Sequence, residues 1–230
     1  MTKKQEIATT SEQLPAYMQR ESVRGQENVG VEDLSIPRLD VIQALSPQRK
    51  KSDPAYIDGA EEGILFNSVT QMLYGAAVKF VPVYFRKEWL VWKDRDSGGG
   101  FNGAFSTKTE GMQVAGGLGD DYEAVETAQH FGLIVHDDGT LEEVVISMSR
   151  SKMKASRQLN TLAKMIGGDR FSSAYEVSAI EVNGEKGDYY SLGIKRLEFV
   201  DEVTYRAAEQ CYDSISAGER DVNRQYDEAE

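Results

Sequence analysis

Val78-Lys79-Phe80-Val81-Pro82-Val83-Tyr84-Phe85-Arg86-Lys87-Glu88-Trp89-Leu90-Val91-Trp92 is the stretch on which the fold turns. It is rich in β-branched and aromatic residues and has no helical period, so it reads as a long strand. Alternation puts Val81, Val83 and Phe85 on one face and Phe80, Pro82, Tyr84 and Arg86 on the other. Pro82 has no N–H for a ladder, which predicts an edge position, a bulge or a bend there. Trp89 and Trp92 fall on opposite faces of an extended chain unless it bulges between them.

Downstream, residues 96–121 are glycine-rich and read as a mobile loop carrying Phe101 and Phe105. Strands are expected at 129–135 and 141–148, with Asp138-Gly139 in the turn between them as a hairpin signal. Ala155, Leu159, Leu162, Ala163 and Ile166 recur at helical spacing, predicting a helix over 151–166 that stops at Gly167-Gly168. A second hairpin follows at 174–182 and 189–197, then a helix over 202–215. Upstream, Leu34 to Ile42 is the first apolar segment, and Gly63 to Asn67 reads as a short strand.

The expected class is mainly β with α. In detail it is an OB-fold-like five-stranded barrel, with one helix between strands three and four and a C-terminal helix. The expected organisation is a flexible arm at 1–33, a nucleic-acid-binding domain at 34–200, and a helix with an acidic tail at 201–230.

Charge is distributed unevenly. The net charge is -12, yet residues 79–95 net +3 and residues 150–170 net +5. The first window interleaves Lys79, Arg86, Lys87, Lys93 and Arg95 with Tyr84, Phe85, Trp89 and Trp92. The second carries Arg150, Lys152, Lys154, Arg157, Lys164 and Arg170. Cations among flat rings suit an unpaired strand, because phosphates need positive charge and exposed bases need a face to stack on. Tyr84, Trp89, Trp92 and Phe101 are therefore the expected stacking residues. Lys79, Arg86, Lys87, Lys93, Arg95, Arg150, Lys152, Lys154 and Arg157 are the expected phosphate contacts. Five neutralised phosphates would give a log–log salt slope of about -3.5. The plainer reading of the same residues is a core with a solvated edge.

Other chemistry finds little footing. Cys211 is the single cysteine, which excludes an internal disulfide and a cysteine-based zinc site. His130 and His136 form no catalytic or zinc pattern, and there is no phosphate-binding glycine motif. No cofactor, metal or catalytic residue is expected. The alternative is a metal-dependent nuclease using Asp94, Asp96, Asp120, Asp121 and Glu123, and a third reading is a protein-binding adaptor with exposed rings as anchors. No apolar run is long enough to span a bilayer and no signal segment opens the chain, so a cytoplasmic protein without membrane contact is expected.

The segment Val83-Tyr84-Phe85-Arg86-Lys87-Glu88-Trp89, the strand order and the acidic end together resemble the single-stranded DNA-binding proteins of bacteriophage replication systems. The run from Ile36-Pro37-Arg38-Leu39 through Leu45-Ser46-Pro47 is also similar to small phage-encoded proteins of this kind. The resemblance implies an OB fold and sequence-independent binding of single-stranded DNA in replication or recombination, in the host cytoplasm. It further implies contacts to polymerase or helicase through the acidic C-terminus, and is compatible with a homo-oligomer.

Overall fold

In the computed structural model, residues 25, 27–29, 36–184 and 187–218 are described. The expected arm at 1–33 and the acidic tail beyond Gly218 lie almost wholly outside them. The first described strands form a small antiparallel sheet in the order β1 (Leu39–Val41), β2 (Leu65–Asn67), β3 (Leu73–Gly75). The large sheet begins with β4 (Ala77–Lys93) and β5 (Phe101–Phe105), followed by helix α1 (Lys108–Leu118). It continues with β6 (Tyr122–Val135), β7 (Leu141–Ser149), helix α2 (Met153–Ile166), β8 (Ser173–Gly184) and β9 (Gly187–Phe199), and the chain then enters helix α3 (Glu202–Ser216).

The protein is mainly β with α. Its antiparallel sheet has the order β7-β6-β4-β8-β9, with β5 added to β4. Both hairpins, the helix between them and the C-terminal helix stand where alternation and helical period put them. The long aromatic strand β4 is central, paired with β6 along most of its length and with β8 through Ala77–Phe80.

Pro82 marks a bulge. It pairs with Gly132, and the next β6 partner, Phe131, faces Tyr84, so Val83 is the extra residue. The bulge changes the phase of the strand. Tyr84 joins Val81 and Val83 in a core against α3, while Phe85 joins Phe80 in the core against α2. This corrects the simple alternation, which grouped Phe85 with Val81 and Val83. Gly132 permits the close approach: a Cβ there would meet the Val81 carbonyl oxygen at 2.3 Å and the Phe80 ring at 2.4 Å.

The sheet is not closed into a barrel, because something else fills the seam between β7 and β9. The Val145 N–H of β7 donates to the Pro37 carbonyl (2.8 Å), and Arg38 bridges Val145 in parallel. On the other side of the seam, Gln43 bonds both backbone groups of Tyr190 in β9 at 2.8 Å. Gln158 of α2 donates to the Ile194 carbonyl (2.8 Å). Residues 37–43 and α2 thus occupy the edges that a closing pair would use.

The glycine-rich stretch also differs from expectation, since most of it is folded as β5 and α1. Thr107 caps α1 by accepting the Glu110 N–H, and its hydroxyl donates to the Glu110 carboxylate (2.8 Å), a variant of the reciprocal capping box. Phe101 packs on Trp92 with ring centroids 5.4 Å apart. Gly111 rests directly on Trp89, where a Cβ would come within 2.9 Å of the Trp89 Cβ.

Candidate nucleic-acid interface

β6 runs past the end of β7. Their last pair is Thr127 with Ser149, so the edge of Tyr122–Glu126 on that side carries no strand partner among the described residues. After Ser149 the chain turns away through Arg150, whose φ of 48° is uncommon for a residue with a side chain. A 3-10 turn at Arg150–Lys152 then leads into α2. Between the bare edge and the first turns of α2 lies an open cleft of about 430 Å³, lined by Glu123–Glu126, Arg150, Ser151, Met153, Lys154 and Arg157.

Arg150, Lys154 and Arg157 therefore line one cleft. Lys87 of the aromatic strand reaches it through an ion pair with Glu126 (2.7 Å), and Arg150 pairs with Glu123. Trp89 stands opposite Glu126 and Trp92 opposite Glu123 in the β4–β6 ladder, so both indoles lie one strand in from the cleft. Both are half-buried. With no bulge between them on the β6 side, they point to opposite faces. Trp89 shares its face with Lys87, whose ammonium is 5.8 Å from the ring centroid. Trp92 faces the other way, with Phe101.

The remaining expected residues are placed elsewhere. Tyr84 packs edge-on against Phe131 and tilts against Tyr212 of α3, at 6.0 and 5.9 Å between centroids. Arg86 lies over the Phe131 ring at 5.1 Å, with Glu88 3.8 Å away. Lys79 pairs with Glu198, roughly 30 Å along the strand from Trp89. Lys152 bonds Asp40 at 2.6 Å and anchors β1. Lys93 lies near Asp121 (3.7 Å) and over Tyr122, at the far end of β4. The Arg95 side chain lies outside the described residues. Ser151 also lines the cleft, while Ser156 is buried on His130.

Sequence reasoning gave His130 and Arg170 no role, yet they set the floor beneath α2. His130 is fully buried, with Nε2 2.8 Å from Ser156 Oγ and Nδ1 2.9 Å from Arg170. Arg170 can only donate, so Nδ1 accepts and Nε2–H donates to the serine. Burial, and then the nearby guanidinium, lower the imidazole pKa to about 3, keeping it neutral. Arg170 also lies over Phe85 at 5.5 Å, and burial lowers its own pKa to about 10. The signal in the sequence was weak, because His130 and Arg170 stand forty positions apart. This network holds the first half of α2, and so Lys154 and Arg157, over β6.

Among the described residues no three His, Cys, Asp or Glu side chains gather to hold a metal ion, and no helix is long and apolar enough to cross a membrane. Fold and cleft define a mainly β protein with a charged groove at the edge of its large sheet. The chain belongs to the Pam3 phage gp34-like protein family, whose model matches residues 4–221. No curated protein and no solved structure matches it.

Proposed function

We propose that this phage-family protein binds single-stranded DNA without sequence preference, along the cleft between the free edge of β6 and the start of α2. The observation that carries the reading is convergence. Arg150, Lys154 and Arg157 line one groove, and Lys87, from the cationic segment some sixty residues earlier, pairs with Glu126 of its wall, next to Trp89 in the ladder. Lys154 and Arg157 have no carboxylate partner among the described residues, which leaves their charges available to phosphates. The groove is open and shallow, which suits a flexible strand better than a small molecule in an enclosed pocket.

In this reading Lys87, Arg150, Lys154 and Arg157 track the backbone and Trp89 offers the stacking face, a contact worth about 1–3 kcal/mol per base. Tyr84, Arg86, Lys79 and Lys152 support the fold. A role in phage DNA replication or recombination, with replication proteins met through the acidic end, is the biological setting we propose. Titration with oligo-dT at low salt tests the binding. Tryptophan emission quenched on addition of DNA and restored by salt supports the reading, and an unchanged spectrum with no retained oligonucleotide rejects it.

A further inference from the structure

We infer that Glu123 and Glu126 stand where DNA phosphates would lie in the cleft, so that the protein carries its own competitor for its binding groove. This rests on the reading of the cleft as the DNA site. Both residues line the cleft, and both engage cations that the DNA would use, Glu123 with Arg150 and Glu126 with Lys87. They belong to the part of β6 that extends beyond β7, so no neighbouring strand among the described residues confines their side chains on that side. The paired groups are well exposed, 64% and 55% for Arg150 and Glu123, 44% and 38% for Lys87 and Glu126. Exchange of carboxylate for phosphate therefore carries little desolvation cost. Such exposed pairs shift an equilibrium by up to about fivefold each, weak enough to yield and strong enough to be measured.

The physical consequence lies in the salt dependence. The counterions released on binding are those condensed on the strand at each neutralised phosphate, and a carboxylate set free when a phosphate takes its cation attracts a counterion back, which offsets that release. Each phosphate neutralised without that offset contributes about -0.7 to the log–log slope for a single strand. Lys154 and Arg157 alone give about -1.4, and freeing Lys87 and Arg150 as well gives about -2.8.

The test compares the full chain with E123Q/E126Q, and with E61Q/E181Q as a control of equal charge change outside the cleft, using labelled oligo-dT across about 50 to 200 mM salt. The inference expects E123Q/E126Q to bind about tenfold tighter at the low-salt end, with the slope steepening to about -2.8, while the control stays near the parent. Parent binding with no tightening and no steeper slope in the double variant overturns the inference and leaves the DNA reading intact. Equal tightening in the control overturns it too, since the effect would be one of net charge. Absence of binding by all three proteins overturns both.

Discussion

Gln43 treats Tyr190 as a strand partner would: its side-chain nitrogen donates to the Tyr190 carbonyl and its side-chain oxygen accepts the Tyr190 N–H, both at 2.8 Å. One amide side chain thus satisfies both backbone groups of a residue on the outer edge of β9. Together with the Pro37–Val145 bond, this stitches the first described segment across the seam of the open sheet.

Gln43→Leu should therefore loosen β9 specifically. Two half-buried backbone groups lose their partner, at a cost of about 1–3 kcal/mol in urea unfolding. Faster hydrogen exchange at the Tyr190 amide would locate the effect. An unchanged midpoint together with unchanged exchange would show that water replaces the side chain without cost.

The contact of α1 with the aromatic strand invites a second substitution. Alanine is intrinsically better than glycine in a helix, by about 1 kcal/mol. At Gly111, however, the new Cβ would stand 2.9 Å from the Trp89 Cβ and 3.3 Å from the Ala124 Cβ, neither of which can swing away. Overpacking of this kind costs about 1–3 kcal/mol, so G111A should be net destabilising. Its tryptophan emission should shift to the red as α1 lifts. Gly116 has open space at its Cβ position, and G116A should be neutral or stabilising.

The buried imidazole gives a pH dependence with a definite sign. His130 titrates near 6.5 when unfolded and is lowered to about 3 when folded. Below pH 6.5 the unfolded chain then binds a proton that the folded chain refuses. The stability this group contributes is fully present above pH 6.5 and falls by about 1.4 kcal/mol per unit as the pH drops towards 3. His130→Asn should be less stable at pH 7 but lose less between pH 6.5 and 4.5. Parallel stability curves for the two proteins would show that His130 is not the group responsible.

The succession of elements was legible because each carries a local signal: alternation in 78–92, Asp138-Gly139 for one hairpin, the apolar spacing of 155–166 for α2. Pro82 announced an irregularity but not its phase, and the single extra residue at Val83 turned Tyr84 to the α3 face, against Tyr212. Helix α1 was hidden by Gly111, Gly116 and Gly117, although Thr107 and Glu110 already had capping-box spacing. The seam was illegible for a different reason, since the Gln43–Tyr190 contact spans 147 residues and involves a side chain of no special composition. At the cleft, the sequence supplied the cations but not their pairing. Glu123 stood only among the ligands of the metal-dependent alternative and Glu126 had no role, and the fold brings them to Arg150 and Lys87.

The most direct measurement is fluorescence anisotropy of labelled oligo-dT titrated at about 50 mM salt with the natural chain, K154Q/R157Q and K79Q. Binding by the natural chain, unchanged in K79Q and at least about tenfold weaker with a nearly flat salt slope in K154Q/R157Q, is the expected result. No binding by the natural chain, or equal binding by all three, would contradict the assignment of the cleft to single-stranded DNA.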